Sequence, residues 1–178
     1  MILSIKKYLL RKLLCLIPPL SFVKINRWCF TQLGYKIHRS ARISSNVKLL
    51  GNINLVVGKD TFIGHYTIIM GGDSSIKIGD NCDISTNVTI VSGTHILDPE
   101  GIRMAGTGIG QDISIGNGVW VGASSIIMPG VTLGDKSVVA AGSIVNKNVA
   151  PLTIVAGNPA RPIKEYNKYT KLWEKCAK

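Results

Sequence analysis

Aromatic residues, acidic residues and histidines are all scarce in this chain, and each shortage removes possibilities. Phe, Tyr and Trp make up 6% of the 178 residues, so a core must be filled by Val, Ile, Leu and Ala. The basic residues are scattered rather than interleaved with stacking rings, which argues against a nucleic-acid partner. His38, His65 and His95 are the only histidines, with no close pair among them. Cys15, Cys29, Cys82 and Cys176 form no CxxC pair and no zinc-ligand spacing, so no metal site is predicted. With 46% hydrophobic residues the chain needs no disulfide framework. A reducing, cytoplasmic compartment fits, with Cys82 packing as a small apolar residue. The longest uncharged run, Leu13 to Val23, is broken by Pro18 and Pro19 and is too short to span a bilayer. The basic start lacks the small-residue cleavage site of a secretory signal.

Cations are plentiful by contrast. Lys and Arg number 21 against 10 Asp and Glu, a net charge of +11. Such a balance suits an anionic partner, a phosphorylated ligand or a membrane surface; it equally suits a solvated cationic exterior. Residues 1–36 read as an apolar, basic helical segment, with Lys6, Lys7, Arg11, Lys12, Lys24 and Arg27 set among Leu and Ile. Two placements stay open. The segment packs on the rest of the protein or another subunit, or residues 1–30 lie as an amphipathic helix on the inner face of a membrane.

The strongest signal is a six-residue period. It runs Ile115-Gly116, Val121-Gly122, Ile127-Met128, Leu133-Gly134, Val139-Ala140, Val145-Asn146. The fifth places, Val119, Ser125, Val131, Ser137, Ser143 and Val149, are all small or β-branched. Upstream the phase returns in three runs: Ile37, Ile43, Leu49, Leu55; Val57, Ile63, Ile69; Ile78, Ile84, Ile90, Ile96. A helix needs apolar spacings of three and four, and a plain strand alternates every two. A six-residue unit with one aliphatic anchor suits a short strand followed by a bend, with glycine supplying unusual backbone angles at the corners. Stacking such units, about 4.8 Å apart, buries each anchor on the next. The prediction is an all-β solenoid with a narrow aliphatic core, over residues 37–150. Residues 97–112 fall outside the period and should protrude as a loop, with Gly106-Thr-Gly108-Ile-Gly110 giving it flexibility.

These repeats resemble the pattern [LIV]-[GA]-x-x-[STAV]-x of the hexapeptide-repeat acyltransferases, over roughly Ile37 to Lys164. The resemblance implies a left-handed parallel β-helix, three hexads to a triangular coil, and a homotrimer. Within that family, Thr86-Asn87-Val-Thr-Ile-Val-Ser-Gly-Thr-His95, followed by Leu97-Asp98-Pro99, looks like the sugar and maltose O-acetyltransferase branch. The resemblance makes His95 the general base, and Asn87 a contact to the acceptor. Taken alone, His95 reads as a solvated turn residue. Asp98 is a candidate acceptor contact, or the group that orients His95; a backbone carbonyl or water would serve the latter purpose too. Neutral imidazole, with a reference pKa of about 6.5, suits removal of a sugar hydroxyl's proton near neutral pH. No cysteine has an obvious base beside it, so no covalent intermediate is implied.

The C-terminal stretch carries the more specific match: Ile115-Gly-Asn-Gly-Val-Trp120-Val-Gly-Ala123, Pro129-Gly-Val-Thr-Leu-Gly134, Ala140-Ala-Gly-Ser-Ile-Val145 and Val155-Ala-Gly-Asn-Pro-Ala-Arg-Pro-Ile-Lys164. By resemblance this region binds acetyl-CoA as co-substrate. Trp120 would flank the coenzyme, although a ring on an outer face at a trimer interface explains it as well. The Ala123 N–H would stabilise the oxyanion and the Ala141 backbone would bond the pantetheine arm. Lys147, Arg161 and Lys164 would meet the phosphates, unless they are ordinary surface charge. Residues 151–178 form a coenzyme-binding tail that ends in a short basic helix capping the solenoid.

The function expected is acetyl transfer from acetyl-CoA to a carbohydrate hydroxyl, in capsule, exopolysaccharide or lipopolysaccharide assembly. Serine, an amino sugar or an antibiotic is an alternative acceptor. A non-catalytic scaffold would release no thiol from acetyl-CoA with any acceptor. A metalloenzyme of the γ-carbonic-anhydrase type needs two of its three zinc histidines close together, which this sequence lacks.

Overall fold

The computed structural model describes residues 2–19 and 21–176. Met1, Leu20, Ala177 and Lys178 belong to the predicted terminal helical segments and lie outside that range. Two helices, α1 (Ile2–Leu16) and α2 (Val23–Gln32), precede the strands. From Lys36 the chain winds as stacked coils with three walls. Lys36–Ile37 opens the first wall and pairs in parallel with Val56–Val57; Ile76–Ile78, Ile113–Ile115 and Thr132–Leu133 follow. The second wall stacks Arg42–Ile43, Phe62–Ile63, Asp83–Ile84, Trp120–Val121, Val138–Val139 and Ile154–Val155. The third stacks Lys48–Leu50, Ile68–Met70, Thr89–Val91, Ile126–Ile127 and Ile144–Val145.

The aliphatic anchors of the hexads are the registered partners. Ile37, Val57, Ile78, Ile115 and Leu133 line up on the first wall, and Ile43, Ile63, Ile84, Val121, Val139 and Val155 on the second. Leu49, Ile69, Ile90, Ile127 and Val145 complete the third. Apart from Ile37, which is partly buried, these columns are buried and meet along the axis as one core. Each buried aliphatic side chain contributes roughly 1.5–3 kcal/mol relative to exposure. The fifth-place residues Thr61, Thr67, Cys82, Val88, Val119, Ser125, Val131, Ser137 and Ser143 fill the corners and are buried too. Cys82 sits there as expected, and burial pushes its thiol pKa up.

The hexad glycines have two causes: Gly118, Gly130 and Gly142 supply left-handed angles at corners as predicted, and the second-place glycines do something else. The left-handed backbone angles fall at the fourth place, mostly on residues with side chains: Asp60, Tyr66, Asn81, Asn87, Ser124 and Lys136. The second-place glycines are small because the next coil passes over them. A Cβ on Gly64 would lie 2.8 Å from the Ser85 carbonyl carbon, and one on Gly79 would lie 2.6 Å from the Gly116 oxygen.

The breaks in the period all occur at one edge, between the third wall and the first. Eight positions separate Leu49 from Val57 and nine separate Ile69 from Ile78, where six is the norm. The third break holds the predicted loop, and here the sequence reading needs correction. Gly93–Leu97 and Ala105–Gly110 pair antiparallel, so the excursion is a β-hairpin with only its tip irregular. Gly106, Gly108 and Gly110 are strand residues, not a flexible linker. The hairpin base sits close on the coil below it: a Cβ on Gly110 would lie 2.0 Å from the Gly72 oxygen.

The predicted C-terminal helix is also overturned. Ala160–Asn167 pairs antiparallel with Thr153–Gly157 on one side and with Leu172–Lys175 on the other. The basic stretch after Lys164 reads as a helix, but Asn167 closes a turn, its Oδ1 accepting from the Tyr169 and Thr170 N–H groups. Tyr166 and Trp173 then face each other across the strands as an edge-on pair, 5.4 Å between centroids. Trp173→Ala is expected to cost about 1 kcal/mol and to speed amide exchange in residues 163–176 alone. Unchanged exchange there would contradict the pairing.

The N-terminal helical segment is as predicted. Phe30 and Cys29 of α2 join the core cluster, and Asn26 Nδ2 donates to the carbonyls of Ser21 and Ile43. The helices therefore close one end of the solenoid, and α1 packs on α2 through Leu10 and Leu14.

Candidate active site

His95 stands on the first strand of the hairpin and is exposed. Its Nδ1 lies 2.9 Å from the carbonyl oxygen of Gly106. A carbonyl only accepts, so Nδ1 carries the hydrogen and Nε2 keeps its lone pair free. That is the tautomer a general base needs. Gly108 is the registered partner of His95, and a Cβ there would reach 3.8 Å from the ring. The glycine leaves the imidazole face open. The sequence reading missed both residues; the glycine run that contains them was the available signal. Asp98 does not orient the ring. It lies at the hairpin tip, folded against Gly101, where a Cβ would lie 2.2 Å from its Oδ2.

The remaining predicted residues divide between two edges. Asn87 lies at the edge between the second and third walls, in the left-handed region at φ 57°. Its Nδ2 donates to Ser124 Oγ at 3.1 Å, which accounts for the asparagine structurally. Ala123 occupies the same edge one coil on, and Ala141 the next, with the Gly142 N–H donating to the Ala123 carbonyl at 2.8 Å. Among the described residues nothing accepts from the N–H of Ala123 or of Ala141. Two unused donors are thus stacked along one line. Arg161 follows at the end of that line, paired with Ala156, where the Gly157 N–H meets Ser143 Oγ. Trp120 flanks the line from the second wall, ring exposed, its indole N–H donating to Ser85 Oγ at 3.3 Å. Lys164 is set back from that line, paired with Ile154 across the second wall. Lys147 is elsewhere, exposed near the edge that carries the hairpin.

One chain therefore does not bring His95 to Ala123, Ala141 and Trp120, because a full wall separates the two edges. The three histidines stand on three different edges, and among the described residues no three His, Cys, Asp or Glu side chains cluster as a metal site would require.

The hexapeptide-repeat model of succinyl-transferases matches residues 54–92 and 105–147, leaving out the first strand and tip of the hairpin. A solved galactoside acetyltransferase in complex with coenzyme A is 30% identical; the superposition covers 95% of this chain and 84% of that one, at a TM-score of 0.73. The chain belongs to the hexapeptide-repeat acyltransferase family. Another member, the galactoside O-acetyltransferase of Escherichia coli K12, is 40% identical over 114 residues, 64% of this chain and 55% of its own. The polySia-specific acetyltransferase NeuO matches at 32% identity and a TM-score of 0.64, over 74% of this chain and 56% of that one. The chain spans about half the length of the curated relatives it matches, at 55%, 53% and 56% of the first three.

Proposed function

We propose that this hexapeptide-repeat protein transfers acetyl from acetyl-CoA to a hydroxyl of a carbohydrate, in the assembly of a surface polysaccharide at the inner face of a membrane. The observation that carries the reading is His95, exposed on a protruding hairpin with Nδ1 committed to Gly106 and Nε2 free. Relatives with this fold act on a galactoside and on polySia, by their names, and a neighbour holds coenzyme A.

The working site lies between copies. The hairpin exposes Ile96, Leu97, Ile102 and Met104 beside His95, an apolar surface that a neighbouring solenoid would cover. His95 would then face the Trp120–Ala123–Ala141 edge of the next copy in a homotrimer. Nε2 takes the acceptor proton as the hydroxyl oxygen attacks the thioester carbon. The Ala123 N–H of the neighbouring copy holds the oxyanion. Collapse breaks the C–S bond, and the imidazolium returns its proton to the leaving thiolate. Arg161 and Lys164 would meet the coenzyme phosphates, with Lys147 contributed across the interface. Asn87 and Asp98 would border the acceptor.

Light scattering should give three times the 19.2 kDa chain mass, and a stable monomer would contradict the shared site. Calorimetry with acetyl-CoA should show binding by the wild type, weakened about tenfold (roughly 1.4 kcal/mol) in Trp120→Ala. Thiol release should then depend on an added sugar acceptor. No coenzyme binding at millimolar concentration would overturn the transferase reading in favour of a scaffold.

A further inference from the structure

The charge of this protein is confined to one end. Residues 1–59 hold 11 of the 21 Lys and Arg and none of the 10 Asp and Glu; the remaining 119 residues carry 10 of each sign and are neutral. The first carboxylate in the chain is Asp60. Those 59 residues are the two helices and the opening coil, so the whole excess of +11 sits at the helical end of the solenoid.

The same end carries an apolar stripe that the fold leaves uncovered. Leu10 and Leu14 of α1 face inward and are buried. Ile5, Leu9, Leu13 and Leu16 recur at helical spacing on an adjacent side, and all are exposed. Ile5, Leu9 and Leu13 form an open apolar surface with Trp28 of α2, whose ring is also exposed. Exposed cations border it: Lys6, bonded at 2.9 Å to Gln32 of α2, Lys12 beside Tyr8, and Lys24 one turn before Trp28. An apolar stripe, an interfacial indole and flanking lysines without a nearby carboxylate match a bilayer interface rich in anionic lipid. A second protein chain would satisfy the stripe but leave the excess positive charge of this end, where among the described residues only Lys59 has a carboxylate partner, Asp60.

We infer that α1 and α2 dock this protein on an anionic lipid bilayer, with Ile5, Leu9, Leu13 and Trp28 entering the headgroup boundary and Lys6, Lys12 and Lys24 on the lipid phosphates. This deepens the membrane-face reading above and rests on it. Docking by the helices stands the solenoid on its N-terminal end. The hairpin with His95 leaves the third coil, about 10 Å further along the axis than the first. The site then faces material carried close to the membrane, as a lipid-linked sugar would be.

The test is flotation of the full-length protein with vesicles of phosphatidylcholine alone or mixed with phosphatidylglycerol, without coenzyme or acceptor. Binding is expected only to the mixed vesicles. It should fall at least tenfold in Leu9→Asp and in the double variant Lys12→Glu/Lys24→Glu. Calorimetry with acetyl-CoA on the same samples should be unchanged, which separates failure to dock from failure of the transferase reading. No binding to mixed vesicles, or equal binding to both compositions, would overturn the inference. So would a drop in particle mass in Leu9→Asp with vesicle binding intact, since the stripe would then be an interface between copies.

Discussion

Replacing His95 with alanine is expected to lower the turnover of acetyl transfer by about 10²–10⁴-fold, the range that a positioned general base supplies. Acetyl-CoA affinity should change by no more than about twofold, because the proposed task of His95 is to take the acceptor's proton, while Trp120, Ala123 and Ala141 of the neighbouring copy hold the coenzyme. The split between turnover and binding is the informative part. The imidazole is held by one bond, from Nδ1 to the Gly106 carbonyl. His95→Gln keeps a polar side chain of similar reach but no proton acceptor of comparable basicity, so it should be nearly as inactive. A variant that retains wild-type turnover would remove His95 from the mechanism. One that loses coenzyme binding equally would mean that His95 belongs to the binding site.

The largest stability effect is expected from Gly122→Val. A Cβ on Gly122 would lie 2.5 Å from the Ala141 nitrogen and 2.9 Å from the Val139 oxygen. Both are backbone atoms in the coil above, the Val139 oxygen accepting from the Gly122 N–H itself at 2.8 Å, and neither swings aside as a side chain would. The stack must open locally, at a cost of about 3 kcal/mol or more. The amide displaced is the one proposed to bond the pantetheine arm, so coenzyme affinity should fall in the same variant. Ala140, at the equivalent second place one coil later, already carries a Cβ; Ala140→Gly should leave coenzyme binding close to wild type. Thermal unfolding and calorimetry on the two variants provide the check. A Gly122→Val protein that melts with wild type would mean the coils are further apart than described.

How much of this was legible in the sequence depends on whether the feature is periodic. Most anchors from Ile37 to Val145 were visible as aliphatics at a fixed interval and landed in register with their counterparts; Leu55, which pairs with Ile76, and Ile96, exposed on the hairpin, kept the phase in sequence but lie off the columns. An in-phase aliphatic is simultaneously a sequence signal and a packing requirement. The second-place glycines were visible as well, but their cause was misread. Gly118, Gly130 and Gly142 do take left-handed corners as expected, but Tyr66, Asn87 and Lys136 show that side chains occupy others, while the second-place glycines make room for the neighbouring coil. The non-periodic parts were harder. The basic tail after Lys164 carries no six-residue period and reads as a helix, and the side-chain turn at Asn167 reverses the chain there. The partner of His95 was hidden because it is a main-chain oxygen, and any residue at 106 has one. Asp98 drew attention because it is acidic and near in sequence, whereas antiparallel pairing puts the second strand, not the tip, beside the ring. The separation of Asn87 from His95 was equally invisible, since eight residues along the chain amount to crossing a wall.

The two unlike ends of the solenoid have one more consequence. A stack of parallel coils ends in rows of unpaired main-chain groups, and such a row accepts another copy as readily as another coil. Here α2 covers the first coil, and the chain doubles back antiparallel over the last. The two ends do not match: a coil of a second copy would meet helices at one end and, on the second wall of the other, an antiparallel strand in place of a parallel one. The helical cap guards a fold built by repetition against growing into a fibre, and a chain trimmed of its first 35 residues would lose that protection at the end where Ile37 and Ile43 begin the stack.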